Sequence, residues 1–149
     1  DPPRPDAPQG TPLHTLLYVE DNPANLELVE LIIGRRADLR LLGAADASLG
    51  IEFARVYQPA VILMDINLPG ISGIEAMKIL RADPSTAHIP IIALSANAVP
   101  RDIQRALDAG FFNYLTKPIK VNQLMDALEA ALACSPSSSG DPATLQEPA

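Results

Sequence analysis

Residues 60–73 read AVILMDINLPGISG. From Ala60 to Ile66 the run is apolar and interrupted only by Asp65. A continuous apolar run, rather than an alternating one, marks a strand covered on both faces. Pro69 and Gly70 punctuate the chain. A helix is then expected over Gly73–Ala82, with Ile74, Met77 and Ile79–Leu80 spaced for burial. A buried strand leading at once into an amphipathic helix is the repeating unit of a parallel sheet.

The same alternation continues on both sides. Leu13–Glu20 is an apolar run ending in acid. Asn22-Pro23 is a cap residue followed by proline at a first helical position. Leu28, Leu31 and Ile32, with Val29 and Ile33 beside them, recur at helical spacing through Arg35. Leu39–Ala44 is a short strand candidate and Ala47–Tyr57 a weaker helix. Downstream, Pro90–Leu94 is apolar, and Pro100–Ala109 is a helix stopped by Gly110. Asn113–Leu115 is a short strand and Val121–Ala133 a last helix. Five strands and five helices in strict alternation predict an α/β fold with a doubly wound parallel sheet, built by right-handed crossovers.

The chain has 149 residues, 48% of them hydrophobic, and a net charge of −7. That length suits one domain. Of 15 prolines, eight sit in the two end stretches DPPRPDAPQGTP and CSPSSSGDPATLQEPA. Residues 1–12 and 134–149 are therefore expected to be flexible linkers around a domain at 13–133, a segment of a longer protein. No apolar run reaches the roughly 20 residues needed to cross a bilayer, and no secretory signal is visible. No Lys/Arg cluster suggests nucleic-acid contact. A single cysteine, Cys134, fits a reducing cytosol.

In a doubly wound sheet, ligands bind beyond the carboxyl ends of the strands. Those ends here are Glu20-Asp21, Asp65, Ser95 and Thr116-Lys117-Pro118. Each has an ordinary explanation taken alone: a turn or cap residue, a helix-start acid, a strand-end hydroxyl, a solvated lysine. Together they would gather three carboxylates, a hydroxyl and an ammonium at one edge. Three carboxylates repel unless a cation intervenes, and Mg²⁺ accepts one or two of them plus phosphate oxygens. Asp65 could then act as a nucleophile toward phosphorus.

The stretches LLYVEDNPANLELV, AVILMDINLPGISGIEAM, PIIALSANA and AGFFNYLTKPI closely resemble the receiver domains of two-component signalling, from about Leu16 to Leu132. That resemblance implies a flavodoxin-like sheet of order 2-1-3-4-5. It implies phosphorylation of Asp65, and Mg²⁺ held by Glu20, Asp21, Asp65 and the backbone carbonyl of Asn67. It gives Lys117 a contact to the phosphoryl group, makes Ser95 the switch hydroxyl and Tyr114 the paired aromatic switch, and makes Lys117–Pro118 a cis peptide. The opening Asn22-Pro23-Ala24-Asn25-Leu26 is most similar to receivers attached to hybrid histidine kinases, which work in the cytoplasm. The implied partner is then a histidine on a helical phosphotransfer or kinase dimerisation domain. Pro23, Ala24, Leu26 and Glu27 are candidates for that contact.

Neither His14 nor His88 lies on an amphipathic helix beside an acid, so the phosphoryl group is expected from a partner domain or a small donor. Two rivals remain open at the level of sequence. A small phosphohydrolase with an aspartyl nucleophile would use a second acid, but the position two residues after Asp65 is Asn67, which cannot serve as a general acid. A constitutively locked receiver, acting as a binding module without phosphorylation, has the same sequence pattern.

Overall fold

The computed structural model describes residues 14–134. Residues 1–13 and 135–149, expected to be linkers and the start of the first strand, lie outside the described residues, whereas Cys134, expected to open the second linker, instead ends the last helix. The elements run β1 (His14–Val19), α1 (Pro23–Ile33), β2 (Leu39–Ala44), α2 (Ala47–Tyr57), β3 (Val61–Asp65), α3 (Gly73–Ala82), β4 (Ile91–Ser95), α4 (Pro100–Ala109), β5 (Asn113–Thr116) and α5 (Val121–Cys134). All four strand pairings are parallel, and the order is β2-β1-β3-β4-β5. This is the doubly wound α/β architecture expected from the apolar runs. No helix among the described residues is long and apolar enough to cross a membrane.

The two faces of the sheet are distinct. Leu17, Val19, Ile62, Met64, Ile91 and Ala93 face a core closed by α2, α3 and α4, with Ile51, Met77 and Ala106 among its members. Leu16, Tyr18, Leu63, Ile92 and Leu94 face the opposite core, closed by α1 and α5 through Val29, Ile33, Leu124 and Leu128. Every residue of β3 and β4 is buried, which is why their sequences do not alternate. β2, at one edge of the sheet, mixes buried and exposed positions.

Helix starts follow their local chemistry. The Asn22 side chain accepts from the Ala24 amide, Asp46 from Leu49, and Ser72 from Glu75, each satisfying an amide with no helical partner. Gly110 ends α4 at φ 134°, a backbone angle that disfavours any side chain. Its carbonyl receives the Arg81 guanidinium, which also donates to the carbonyls of Ala87 and Ile89. One side chain of α3 thus ties down the entry to β4 and the exit from α4.

Two burial expectations are corrected. Helical spacing drew attention to Leu28 and Leu31, yet both are exposed, Leu31 at 73%. The buried stripe of α1 is Val29, Ile32 and Ile33. Likewise Ile79 is exposed, because α3 buries Gly73, Ala76, Met77 and Leu80, one row at i, i+3, i+4 and i+7. Strand ends shift slightly: β1 stops at Val19, one residue before Glu20, and β5 runs one residue past Leu115 to Thr116. β4 ends at Ser95 as expected, where Ser95 pairs with Thr116 and the Lys117 amide donates to its carbonyl.

Candidate functional site

Register brings the strand-end groups together. β1 and β3 pair Val19 with Met64, so one step further sets Glu20 level with Asp65. β3 and β4 pair Asp65 with Leu94, which places Ser95 just beyond. Carboxylate oxygens of Glu20, Asp21 and Asp65 all lie within 4.8 Å of one another. Glu20 and Asp65 are buried and Asp21 is exposed, so the cluster opens to solvent on the Asp21 side. Ser95 is also buried.

Lys117 closes the other side. Its Nζ lies 3.1 Å from Asp65 Oδ2 and 3.6 Å from Glu20 Oε1. Lys117 follows β5 directly, and its peptide to Pro118 is cis. The second Asp65 oxygen, Oδ1, accepts the Asn67 amide at 3.0 Å. Both oxygens of Asp65 are therefore oriented, one by a cation and one by its own loop.

That loop is folded back tightly. Gly70 adopts φ 77°. The Gly73 amide donates to the Ile66 carbonyl at 3.0 Å, and a Cβ at position 73 would collide with the Asp65 carbonyl oxygen and with Ile66 Cα. Gly73 is thus required by close backbone approach.

Glu20 has a partner that sequence reasoning missed. The Tyr18 hydroxyl donates to Glu20 Oε1 at 2.8 Å, and the Asn22 amide donates to Oε2 at 3.2 Å. Burial raises the Glu20 carboxyl above the ordinary range, and the Asp65 charge acts in the same direction. The Tyr18 bond and Lys117 oppose this. The Tyr18 phenol is itself pushed up, first by burial and then by its bond to Glu20. The available signal was strand periodicity: Tyr18 and Glu20, two apart in extended chain, share a face.

The switch candidates lie beside the cluster. Ser95 Oγ accepts the Asn97 amide at 3.1 Å, and the Tyr114 hydroxyl donates to the Asn97 carbonyl at 2.8 Å. The Asn97 side chain accepts from the Val99 amide and donates to Asp102 Oδ2. Ser95, Tyr114 and the first turn of α4 therefore meet at one residue. A cavity of about 380 Å³ lies between Ile66, Ile74, Ser95, Ala106 and Tyr114. The docking candidates stand apart from this group on α1: Pro23, Ala24 and Glu27 are exposed and Leu26 is half-buried.

The donor set suits a hard divalent cation. Three carboxylates against one ammonium leave an uncompensated negative charge, and every side-chain donor is oxygen, as Mg²⁺ requires.

Residues 16–129 match the response regulator receiver domain family, and the chain belongs to that family. It is 33% identical over 118 residues to the polar-differentiation response regulator DivK of Brucella anthropi, covering 79% of this chain and 95% of that protein. The receiver domain of the sensor histidine kinase PA1611 from Pseudomonas aeruginosa superposes with a TM-score of 0.74 at 34% identity, over 81% of this chain and 98% of that one. That crystal structure carries a magnesium ion coordinated in its active-site cleft. A response regulator from Chloroflexus aurantiacus superposes with a TM-score of 0.75 at 30% identity, over 81% and 98% of the two chains. The chain is a receiver domain of two-component signalling, with the flavodoxin-like order expected from its motifs.

Proposed function

We propose that Asp65 accepts a phosphoryl group from a phosphohistidine, with Mg²⁺ held by Asp21, Glu20, Asp65 and the Asn67 carbonyl. The observation that carries this reading is the buried Asp65 carboxylate, both of whose oxygens are fixed beside two further acids and one lysine. In the transfer, an Asp65 oxygen forms the new O–P bond while the N–P bond of the phosphohistidine breaks, and the freed imidazole nitrogen takes up a proton. Little covalent chemistry is asked of the protein, so positioning and charge neutralisation carry the rate. The bound cation supplies charge neutralisation of the transferring oxygens. Lys117, already 3.1 Å from Asp65, supplies a second positive charge for a phosphoryl oxygen. The Ser95 hydroxyl, which accepts the Asn97 amide and donates to no partner among the described residues, is available to donate to a third. Leaving its bond to the Asn97 amide would couple phosphorylation to Tyr114 and α4, a population shift between two loop arrangements.

The docking partner is a helical bundle bearing the histidine, within a hybrid kinase or phosphotransfer protein in the cytoplasm. Support comes from α1: Pro23, Ala24 and Glu27 are exposed next to Asp21, and exposed Leu28 and Leu31 continue the same helix. With Val121 and Met125 of α5 they border a groove of about 410 Å³. Apolar side chains left in solvent on adjacent elements mark an interaction surface. The chain is then one domain of a larger signalling protein. It assists its own phosphorylation and dephosphorylation without acting as a turnover enzyme.

The test compares two phosphodonors. Leu31→Asp is expected to slow transfer from a phosphorylated histidine bundle at least 10-fold and to leave labelling by phosphoramidate unchanged. Equal rates from the bundle for both proteins would remove α1 as the docking face. Failure of wild type with both donors would remove the phosphoacceptor reading itself.

A further inference from the structure

Tyr18 carries a buried polar group that phosphoryl transfer does not use. Its side chain is 0% exposed and lies in the core between the sheet and helices α1 and α5. An apolar residue would fill that space equally well. A buried hydroxyl is retained without cost only where it has a partner, and its partner is Glu20 Oε1 at 2.8 Å. Glu20 in turn is 1% exposed, so its carboxylate depends on protein donors. Two donors grip it from its own strand end, the Tyr18 hydroxyl on Oε1 and the Asn22 amide on Oε2. Lys117 stands only loosely by, at 3.6 Å from Oε1.

We propose that Tyr18 is a positioning residue for the cation: its hydroxyl holds the Glu20 carboxylate toward Asp21 and Asp65 and away from a closed ion pair with Lys117. Without the hydroxyl, Glu20 keeps one donor from its own segment and has a cation within reach. Closing the gap to Lys117 would neutralise Glu20 and withdraw its charge from the site. Groups that orient a metal ligand from behind typically change metal affinity by 10- to 100-fold when removed. A single neutral donor with a remaining amide partner belongs at the low end of that range. This inference rests on the reading of the three acids as a Mg²⁺ site.

The experiment is Mg²⁺ titration calorimetry on four proteins: wild type, Tyr18→Phe, Glu20→Gln and the double variant. Tyr18→Phe removes one oxygen and preserves the ring, and chemical denaturation in EDTA checks that it folds. The expected result is Mg²⁺ affinity about 10-fold weaker in Tyr18→Phe. In the Glu20→Gln background the same substitution should change affinity less than about 2-fold, because the ligand that Tyr18 positions is already altered. A purely structural tyrosine would change the denaturation midpoint and leave Mg²⁺ affinity as in wild type, which would overturn the proposal and leave the metal site standing. An equal loss in both backgrounds would also overturn it. Absence of Mg²⁺ binding by folded wild-type protein would remove the metal site, and the proposal with it.

Discussion

Asp65→Asn should make the metal-free protein more stable. Asp65 is 2% exposed and shares its space with Glu20 and Asp21, carboxylate oxygens of all three lying within 4.8 Å of one another. At an effective dielectric of about 20, each repulsion at that separation is worth at least about 3.5 kcal/mol. Attraction to Lys117 at 3.1 Å is worth about 5 kcal/mol on the same footing. Asp21 is exposed, so solvent weakens its share of the repulsion. Burying the Asp65 charge costs several kcal/mol more before any partner is counted. The amide of Asn removes the charge but keeps an oxygen for the Asn67 amide. The balance favours the variant by about 1–3 kcal/mol. Urea denaturation in EDTA, with slopes compared to confirm similar unfolding, measures this directly. Mg²⁺ should then narrow or reverse the difference, since a bound cation at ten times its dissociation constant stabilises by about 1.4 kcal/mol. An Asp65→Asn protein less stable than wild type in EDTA would refute the reasoning, as would equal stabilisation of both proteins by Mg²⁺.

Three further outcomes follow from other parts of the molecule. Gly73→Ala should destabilise by more than about 3 kcal/mol, because its Cβ meets the backbone of Asp65 and Ile66 and not a flexible side chain; a denaturation midpoint near wild type would contradict this. Asn97→Ala should leave the Asp65–Lys117 contact intact and cost about 1 kcal/mol, with faster amide exchange confined to the first turn of α4, since Val99 caps that helix without a side-chain bond and Asn97 acts in its place. Asp38 is held below the usual carboxylate range by its bonds to Arg36, so its contribution is present at neutral pH and lost as pH falls through and below about 4. Asp38→Asn should accordingly be less stable than wild type at pH 7, with the gap closing in melts below that pH; a constant gap would assign the effect to packing.

Much of this arrangement was legible in the sequence, because the strands speak through composition. Buried on both faces, Val61–Asp65 and Ile91–Ser95 read as continuous apolar runs whose polar end residue stands out. Helices α2, α3 and α4 matched residue for residue, with Pro100 marking the start and Gly110 the end of α4. The choice of buried face was less legible. Leu28, Val29, Leu31, Ile32 and Ile33 cover more than half the circumference of α1, so periodicity alone cannot select a stripe. Contacts with Leu39, Leu124 and other long-range neighbours select it. The Tyr18–Glu20 bond was hidden for a related reason. A tyrosine inside an apolar run reads as core, and it is core everywhere except at its oxygen. The Asn97 bonds, too, needed the positions of Tyr114 and Asp102 in space.

Asp65 as the phosphoacceptor is tested most directly by intact mass spectrometry. Wild-type protein with Mg²⁺ and phosphoramidate should gain about 80 Da, one phosphoryl group, and should gain nothing in EDTA. Asp65→Asn, folded and at least as stable, should gain nothing under either condition. A wild-type protein that stays unmodified, or an Asp65→Asn protein that acquires the same mass, would contradict the assignment.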